Sequence, residues 1–188
     1  MISVIVATRD CERLLARTLA ALVPGAVDGL VSEAIVADGG SRDGTAIVAD
    51  AAGCIFISGA EPLGPRLKSA AASARAPFLL FVRPGITLDM AWVGEARRFT
   101  ERSAADRHAA VFRRGVPTQT VLRELRTLLA GALGALPRPE QGLLMTRALY
   151  DELGGHAEAP ADPERDLIRR IGRRRVVTLA AAAHAILD

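Results

Sequence analysis

The stretch IVADGGSRDGT at positions 35–45 carries the first residues whose types and spacing suit chemistry. Asp38 closes an apolar run, which puts a carboxylate at a strand's carboxyl end, where it can accept hydrogen bonds from a base or a ribose. Gly39 and Gly40 let a ligand approach the backbone closely. Ser41 or Asp43 can cap the helix that follows, and the N–H groups exposed there suit an anion. The opening VIVATRD sets a second polar tip, Thr8-Arg9-Asp10, after a neighbouring strand. Taken alone, DGGSRDGT reads equally well as a strand–turn–helix joint with capping residues.

The elements that must position these tips follow from hydrophobic patterning. Ile2–Ala7 is a β-branched run that predicts a buried strand. Cys11–Leu22 has helical spacing, with Asp10 as N-cap and Pro24-Gly25 as the stop. Glu33–Ala37 predicts a second strand, Asp43–Ala52 a helix closed by Gly53, and Cys54–Ser58 a third strand. Arg66–Arg75 predicts an Ala-rich helix and Phe78–Val82 a fourth strand. This alternation implies an α/β fold, a mostly parallel sheet with helices on both faces. Its ligand crevice should lie at the carboxyl ends of the strands. Beyond residue 88 the pattern is less regular. Asp89–Arg102 predicts a helix, Ala109–Arg113 a strand and Thr118–Leu133 a long amphipathic helix. A Pro- and Gly-rich loop, Leu136–Gly142, leads to a strand at Leu143–Thr146 and a helical turn at Ala148–Leu153. Asp162–Ile171 predicts another helix and Val176–Leu179 a late strand. With no internal repeat and no linker, one domain spanning 1–188 is expected.

Composition narrows the class. The 188 residues are 50% hydrophobic and 24% charged, which excludes a disordered chain. No apolar run reaches the roughly 20 residues that cross a bilayer, and the N-terminus reads as a strand rather than a secretory leader. Cys11 and Cys54 have no metal spacing and form no disulfide framework, so a cytoplasmic location is expected. Lys68 is the only lysine, and arginines carry nearly all the positive charge, which suits phosphate or carboxylate partners. No basic stripe is interleaved with aromatics, so nucleic acid is not an expected partner. The dense run from Arg169 to Arg175 reads as the solvated end of a helix. No GxGxxG follows the first strand and no GxSxG occurs, which argues against a dinucleotide oxidoreductase and a serine hydrolase.

Five blocks, taken in order, resemble the family 2 glycosyltransferases, whose nucleotide-sugar-binding fold is called GT-A. Ala7-Thr8-Arg9-Asp10 is similar to the tip of that family's first strand, and Val36 to Thr45 to the pattern after its second. GPRLKSAAASARAPFLLFV at 64–82 looks like its basic residue, Ala-rich helix and strand leading to a metal site. LPRPEQGLLMTRALYDELGGH at 136–156 is similar to the acceptor-side segment, and DPERDLIRRIGR at 162–173 to the helix that carries the catalytic base. The resemblance implies a nucleotide-binding half at 1–90 and an acceptor-side half at 91–188. It implies a hexosyltransferase-type reaction between a nucleotide-diphosphate sugar and an acceptor it does not identify. Thr8, Asp10, Asp38 and Gly39 fall at nucleotide-binding positions, with Arg66 or Lys68 toward the phosphates. Glu140 and Gln141 fall at the acceptor-facing motif, and Glu164, or alternatively Asp162, nearest the base. His156 falls where the family is usually aromatic, a packing position. Such proteins also work on lipid-linked acceptors, so peripheral membrane contact is one expected use of the apolar face at Leu128–Leu136.

The pattern breaks at VRPGITLD, positions 82–89. Family members carry an Asp-x-Asp or His-x-Asp pair here that holds Mg²⁺ or Mn²⁺. Arg83 and Gly85 offer no side-chain oxygen, which hard divalent cations require, so no metal cofactor is expected. Two readings stay open. In one, Arg83 sets a permanent guanidinium on the diphosphate in place of the ion. In the other, the chain is a catalytically inactive relative that binds a nucleotide or sugar or serves as a scaffold.

Overall fold

The structure, a computed structural model, describes residues 1–102, 104–115 and 136–186. Eight strands form one sheet in the order β3-β2-β1-β4-β7-β6-β8-β5. They are β1 (Ile2–Thr8), β2 (Val31–Asp38), β3 (Ile55–Ser58), β4 (Phe78–Phe81), β5 (Ile86–Leu88), β6 (Ala109–Arg114), β7 (Leu143–Thr146) and β8 (Val176–Ala185). β7 and β5 run against the other strands, which are mutually parallel. The mostly parallel α/β architecture expected from the alternation of elements is the one observed.

Because side chains alternate across a strand, β1 feeds two cores. Ile2, Val4 and Val6 pack with α1 (Glu12–Val27), α2 (Thr45–Ala51) and α4 (Trp92–Thr100). Ile5, with Ile35 and Ala37, packs on the opposite face against α3 (Leu63–Ser73), α5 (Arg147–Glu152) and α6 (Pro163–Ile171). Both faces of the sheet are therefore covered, which is what the continuous apolar runs of the central strands require.

Several boundaries differ from the sequence reading. Pro24-Gly25 does not stop α1, which continues to Val27. Gly25 stays inside the helix because its bare Cα makes room for an indole: a Cβ there would lie 2.4 Å from Trp92 Cη2. The stop comes at Asp28-Gly29, where Gly29 turns to φ +69°. Asp10 is not the cap of α1. Cys11 holds that position without a side-chain bond, while Asp10 sits at φ +47° and accepts from Arg42 N–H at 2.7 Å. The predicted helix at Asp89–Arg102 is shorter, because Ile86–Leu88 and the residues around Asp89 are drawn into the sheet edge: β5 pairs with β8, and Asp89 N–H bonds Ala182 O. β8 runs on to Ala185 to receive it. The arginine run at the end of α6 is exposed at Arg169, Arg170, Arg173 and Arg174, as a solvated helix end. Two of its members are also anchored, Arg170 Nη2 donating to Gly155 O at 2.7 Å and Arg175 Nη1 to Glu152 at 3.1 Å. The helix predicted at Thr118–Leu133, and all of Leu128–Leu136 but its last residue, lie outside the described residues. Among the described residues, no helix is long and apolar enough to cross a membrane.

Candidate active site

The register of the sheet brings the first polar tips together. Thr8 is paired with Asp38, and Asp38 with Ser58, so one row of polar residues closes β1, β2 and β3. Asp38 is 1% exposed. Its Oδ1 accepts from Thr8 Oγ1 at 2.8 Å and Ser41 Oγ at 2.5 Å. Its Oδ2 accepts from Gly40 N–H at 2.9 Å, Ser41 N–H at 2.8 Å and Ser58 Oγ at 3.3 Å. Burial alone would raise this carboxyl; the donors from Ser41, Thr8 and Gly40 outweigh it and hold the pKa below the ordinary value. Asp38 thus folds the Gly39–Ser41 loop around itself. Ser41 does not cap α2: its hydroxyl serves Asp38 and receives Asp10 N–H at 2.8 Å. Asp43 Oδ1 accepts from Thr45 N–H at the helix start. Ser58 was not legible as a site residue, although its place at the third strand's end was the available signal.

Arg66 reaches from α3 across the strand ends, donating through Nη1 to Ala37 O at 2.8 Å and Thr8 O at 3.1 Å, and through Nε to Glu61 O. Its guanidinium covers Gly39, where a Cβ would lie 2.9 Å from Nη1. Gly39 is therefore needed for a close approach of this chain's own arginine. Lys68, the alternative basic residue, is exposed. Two residues before Arg66, Gly64 lets α3 press on the loop that precedes α6: a Cβ there would meet Ala157 O at 2.1 Å.

A second constellation forms where β4 ends. Phe81 pairs with Ile5 of β1 and Leu143 of β7. Because β7 runs antiparallel to β4, the turn just before it, Pro139–Gln141, arrives at the edge where Arg83 leaves the sheet. Pro84 and Gly85 then turn the chain into β5. Gly85 takes φ +82° and Ile86 N–H closes on Arg83 O, the arrangement of a Pro-Gly β-turn. The Arg83 guanidinium gathers three carboxylates. Nε and Nη2 both lie 2.6 Å from Glu164 Oε2, Nη1 lies 3.1 Å from Glu140 Oε1, and Nη2 lies 3.5 Å from Asp162 Oδ1. Asp162 also caps α6, accepting from Arg165 N–H at 3.0 Å.

Burial differs across this cluster and sets its electrostatics. The Glu164 side chain is 12% exposed, that of Arg83 33%. Burial pushes the Glu164 carboxyl up, only partly countered by Arg83; the acidic neighbours Asp162 and Glu140 push the same way as burial. For Arg83, burial disfavours the charge, but the hydrogen bond and attraction of Glu164, with Glu140 and Asp162, more than offset it and raise its pKa. Gln141 does not join the cluster. Its amide spans backbone, Nε2 donating to Phe112 O at 2.8 Å and Oε1 accepting from Arg138 N–H at 3.0 Å. Glu140 is the member of that pair that reaches Arg83.

His156 packs, as its place in the sequence suggested. It is 2% exposed, its Nδ1 is 2.9 Å from Tyr150 Oη, and its ring meets Phe81 edge-on with centroids 4.8 Å apart. Burial, helped by Arg170, lowers its pKa to about 3.

These residues do not fit a hard divalent ion. Gly85 contributes no oxygen, and its missing Cβ would face Leu14 of α1, 3.1 Å from Cδ2. Among the described residues no group of three or more His, Cys, Asp or Glu side chains is arranged to hold a metal. The carboxylates that converge here are engaged by a guanidinium instead.

Comparison with known proteins adds the fold. No family model matches the chain, and none of the curated proteins does. Solved structures match over its length. One is glucosyl-3-phosphoglycerate synthase from Mycobacterium tuberculosis with Mn²⁺, UDP and glucosyl-3-phosphoglycerate, at TM-score 0.71 and 22% identity, covering 100% of this chain and 72% of that one. The same synthase with Mn²⁺, UDP-glucose and phosphoglyceric acid matches at 0.70 and 23%, covering 100% and 72%. TarS from S. aureus matches at 0.72 and 18%, covering 98% of this chain and 60% of that one. The continuous sheet, its two helical faces and these neighbours together assign the chain to the GT-A glycosyltransferase fold.

Proposed function

We propose that the chain transfers a sugar from a nucleotide-diphosphate sugar to an acceptor hydroxyl, with Arg83 in the place of a divalent ion. The observation that carries this reading is the convergence of Glu140, Asp162 and Glu164 on Arg83, beside strand ends closed by Thr8, Asp10, Asp38 and Gly39. The base and ribose are assigned to those strand ends, which Arg66 braces. The diphosphate is assigned to the open third of Arg83. As the acceptor oxygen bonds to the anomeric carbon, the carbon–oxygen bond to the diphosphate breaks. Its electron pair leaves on the phosphate oxygen, where a guanidinium stabilises the growing charge. The acceptor's proton goes to Glu164, with Asp162 the alternative base. Glu140 and Gln141 belong to the acceptor side of this reading, Glu140 by its side chain and Gln141 by holding the turn.

The test is release of nucleoside diphosphate from UDP-, GDP- and ADP-sugars in EDTA, with and without a panel of hydroxyl acceptors. Turnover that disappears in Glu164→Gln supports transfer by this base. A second reading, nucleotide binding without turnover, is favoured by one observation: Glu164 is already ion-paired and buried. Nucleotide binding with no product from any donor would select it.

A further inference from the structure

Glu164 and Arg83 stand in a relationship that a fixed phosphate clamp does not need. Glu164 is the most buried acid of the cluster, and among the described residues Arg83 is the only cation of the charged groups that face it. The others are acidic: Asp162 from the start of α6 and Glu140 from the turn before β7. Arg83 reaches Glu164 with Nε and Nη2, Glu140 with Nη1 and Asp162 with Nη2, and a third of its side chain stays exposed, so a ligand that reaches it competes with these carboxylates.

We propose that Arg83 exchanges partners: the donor's diphosphate draws its guanidinium away from Glu164, and Glu164, left buried among acids, becomes the base for the acceptor's proton. Donor binding thereby switches on the base, and the paired state of the free chain is its resting form. This inference rests on the proposed function and deepens it, since it links the two halves of the site. The physical drive is a competition between anions. A diphosphate offers Arg83 bidentate, charge-assisted hydrogen bonds comparable to those of a carboxylate and carries more charge. Once the counter-charge is gone, burial and the two acidic neighbours all raise the proton affinity of Glu164, so that a fraction takes a proton from solvent and the fraction that stays ionised is the stronger base for the acceptor. In the transfer step the acceptor's proton moves to Glu164 as the new glycosidic bond forms, and the electron pair of the broken bond leaves with the diphosphate.

The exchange is read as proton uptake on binding. Calorimetric titration with UDP-glucose, GDP-glucose and ADP-glucose in EDTA, in buffers of different ionisation enthalpy near pH 7, reports the protons exchanged. The esterified diphosphate of these donors does not titrate there. Wild type is expected to take up a measurable fraction of a proton per donor bound. Glu164→Gln, which keeps shape and an acceptor for Arg83, is expected to bind donor without that uptake. Arg83→Gln is expected to lose the uptake and to bind at least tenfold more weakly. Binding without uptake, or equal uptake in Glu164→Gln, overturns the exchange and leaves the proposed function standing. No binding of any of the three donors overturns both.

Discussion

Arg83 holds Glu164 through two nitrogens, each 2.6 Å from the same carboxylate oxygen. The residue that stands at the expected metal motif is therefore the one that grips the expected base.

Removing the guanidinium leaves Glu164 buried without a counter-charge and Glu140 and Asp162 facing it. Loss of a fully buried partner costs about 3–5 kcal/mol. Because Arg83 is one-third exposed, solvent screening reduces the expected loss for Arg83→Ala to about 1–3 kcal/mol. Urea unfolding at pH 7 measures it.

Asp38 organises its loop by accepting from Thr8, Gly40, Ser41 and Ser58. In Asp38→Asn, an amide N–H₂ must face donors on one side of the group. The expected cost is about 2–4 kcal/mol, with loss of nucleotide binding, whereas Thr8→Val costs about 1 kcal/mol. Denaturant midpoints and donor titrations separate these effects.

An acid placed at Gly85, where the resemblance expects a metal ligand, should not create a metal site. Gly85 stands at φ +82° and a Cβ would press on Leu14, while its N–H bonds Thr18 Oγ1 at 2.9 Å. Gly85→Asp is expected to lower stability by about 1–3 kcal/mol and to give no stimulation of donor binding by Mn²⁺. A Mn²⁺ titration of the variant checks this.

His156 sets an acid sensitivity. The unfolded histidine protonates near its ordinary 6.5, but the buried one resists until about 3. The unfolded state thus binds the extra proton, and stability falls as pH drops below 6.5, by about 1.4 kcal/mol per unit at full slope. Glu164, whose carboxyl is raised, acts with the opposite sign above its ordinary value. Asp38 and Glu33, whose carboxyls are lowered, add to the loss only in stronger acid. The readout is therefore the difference between wild type and His156→Gln from pH 6.5 to 4.5. The variant is expected to lose about 2 kcal/mol less than wild type over that range.

Much of the fold was legible because local pattern and burial agree. The apolar runs at Ile2–Ala7 and Glu33–Ala37 fall inside β1 and β2, which are largely buried throughout β1 and from Ile35 onward in β2, and the polar tips fall at the strand ends. The misreadings occur where a distant partner overrides local signals. Gly25 remains helical because Trp92 packs on it, and Ile86–Leu88 becomes a strand because β8 supplies an edge. Sequence order placed Arg83, Glu140, Asp162 and Glu164 in motifs but could not reveal that one guanidinium joins them, since that depends on β7 reversing direction beside β4. The Tyr150–His156 pair was hidden for a similar reason: a turn at Gly154-Gly155 folds one onto the other.

A guanidinium that does the electrostatic work of a metal ion is the proposal on which the site's chemistry turns. Its most direct test is the affinity for UDP-glucose, GDP-glucose and ADP-glucose in EDTA, compared between wild type and Arg83→Ala. The expected result is metal-free binding of one of these donors that falls by at least tenfold in the variant. Binding that requires Mn²⁺, or that survives unchanged in Arg83→Ala, contradicts it.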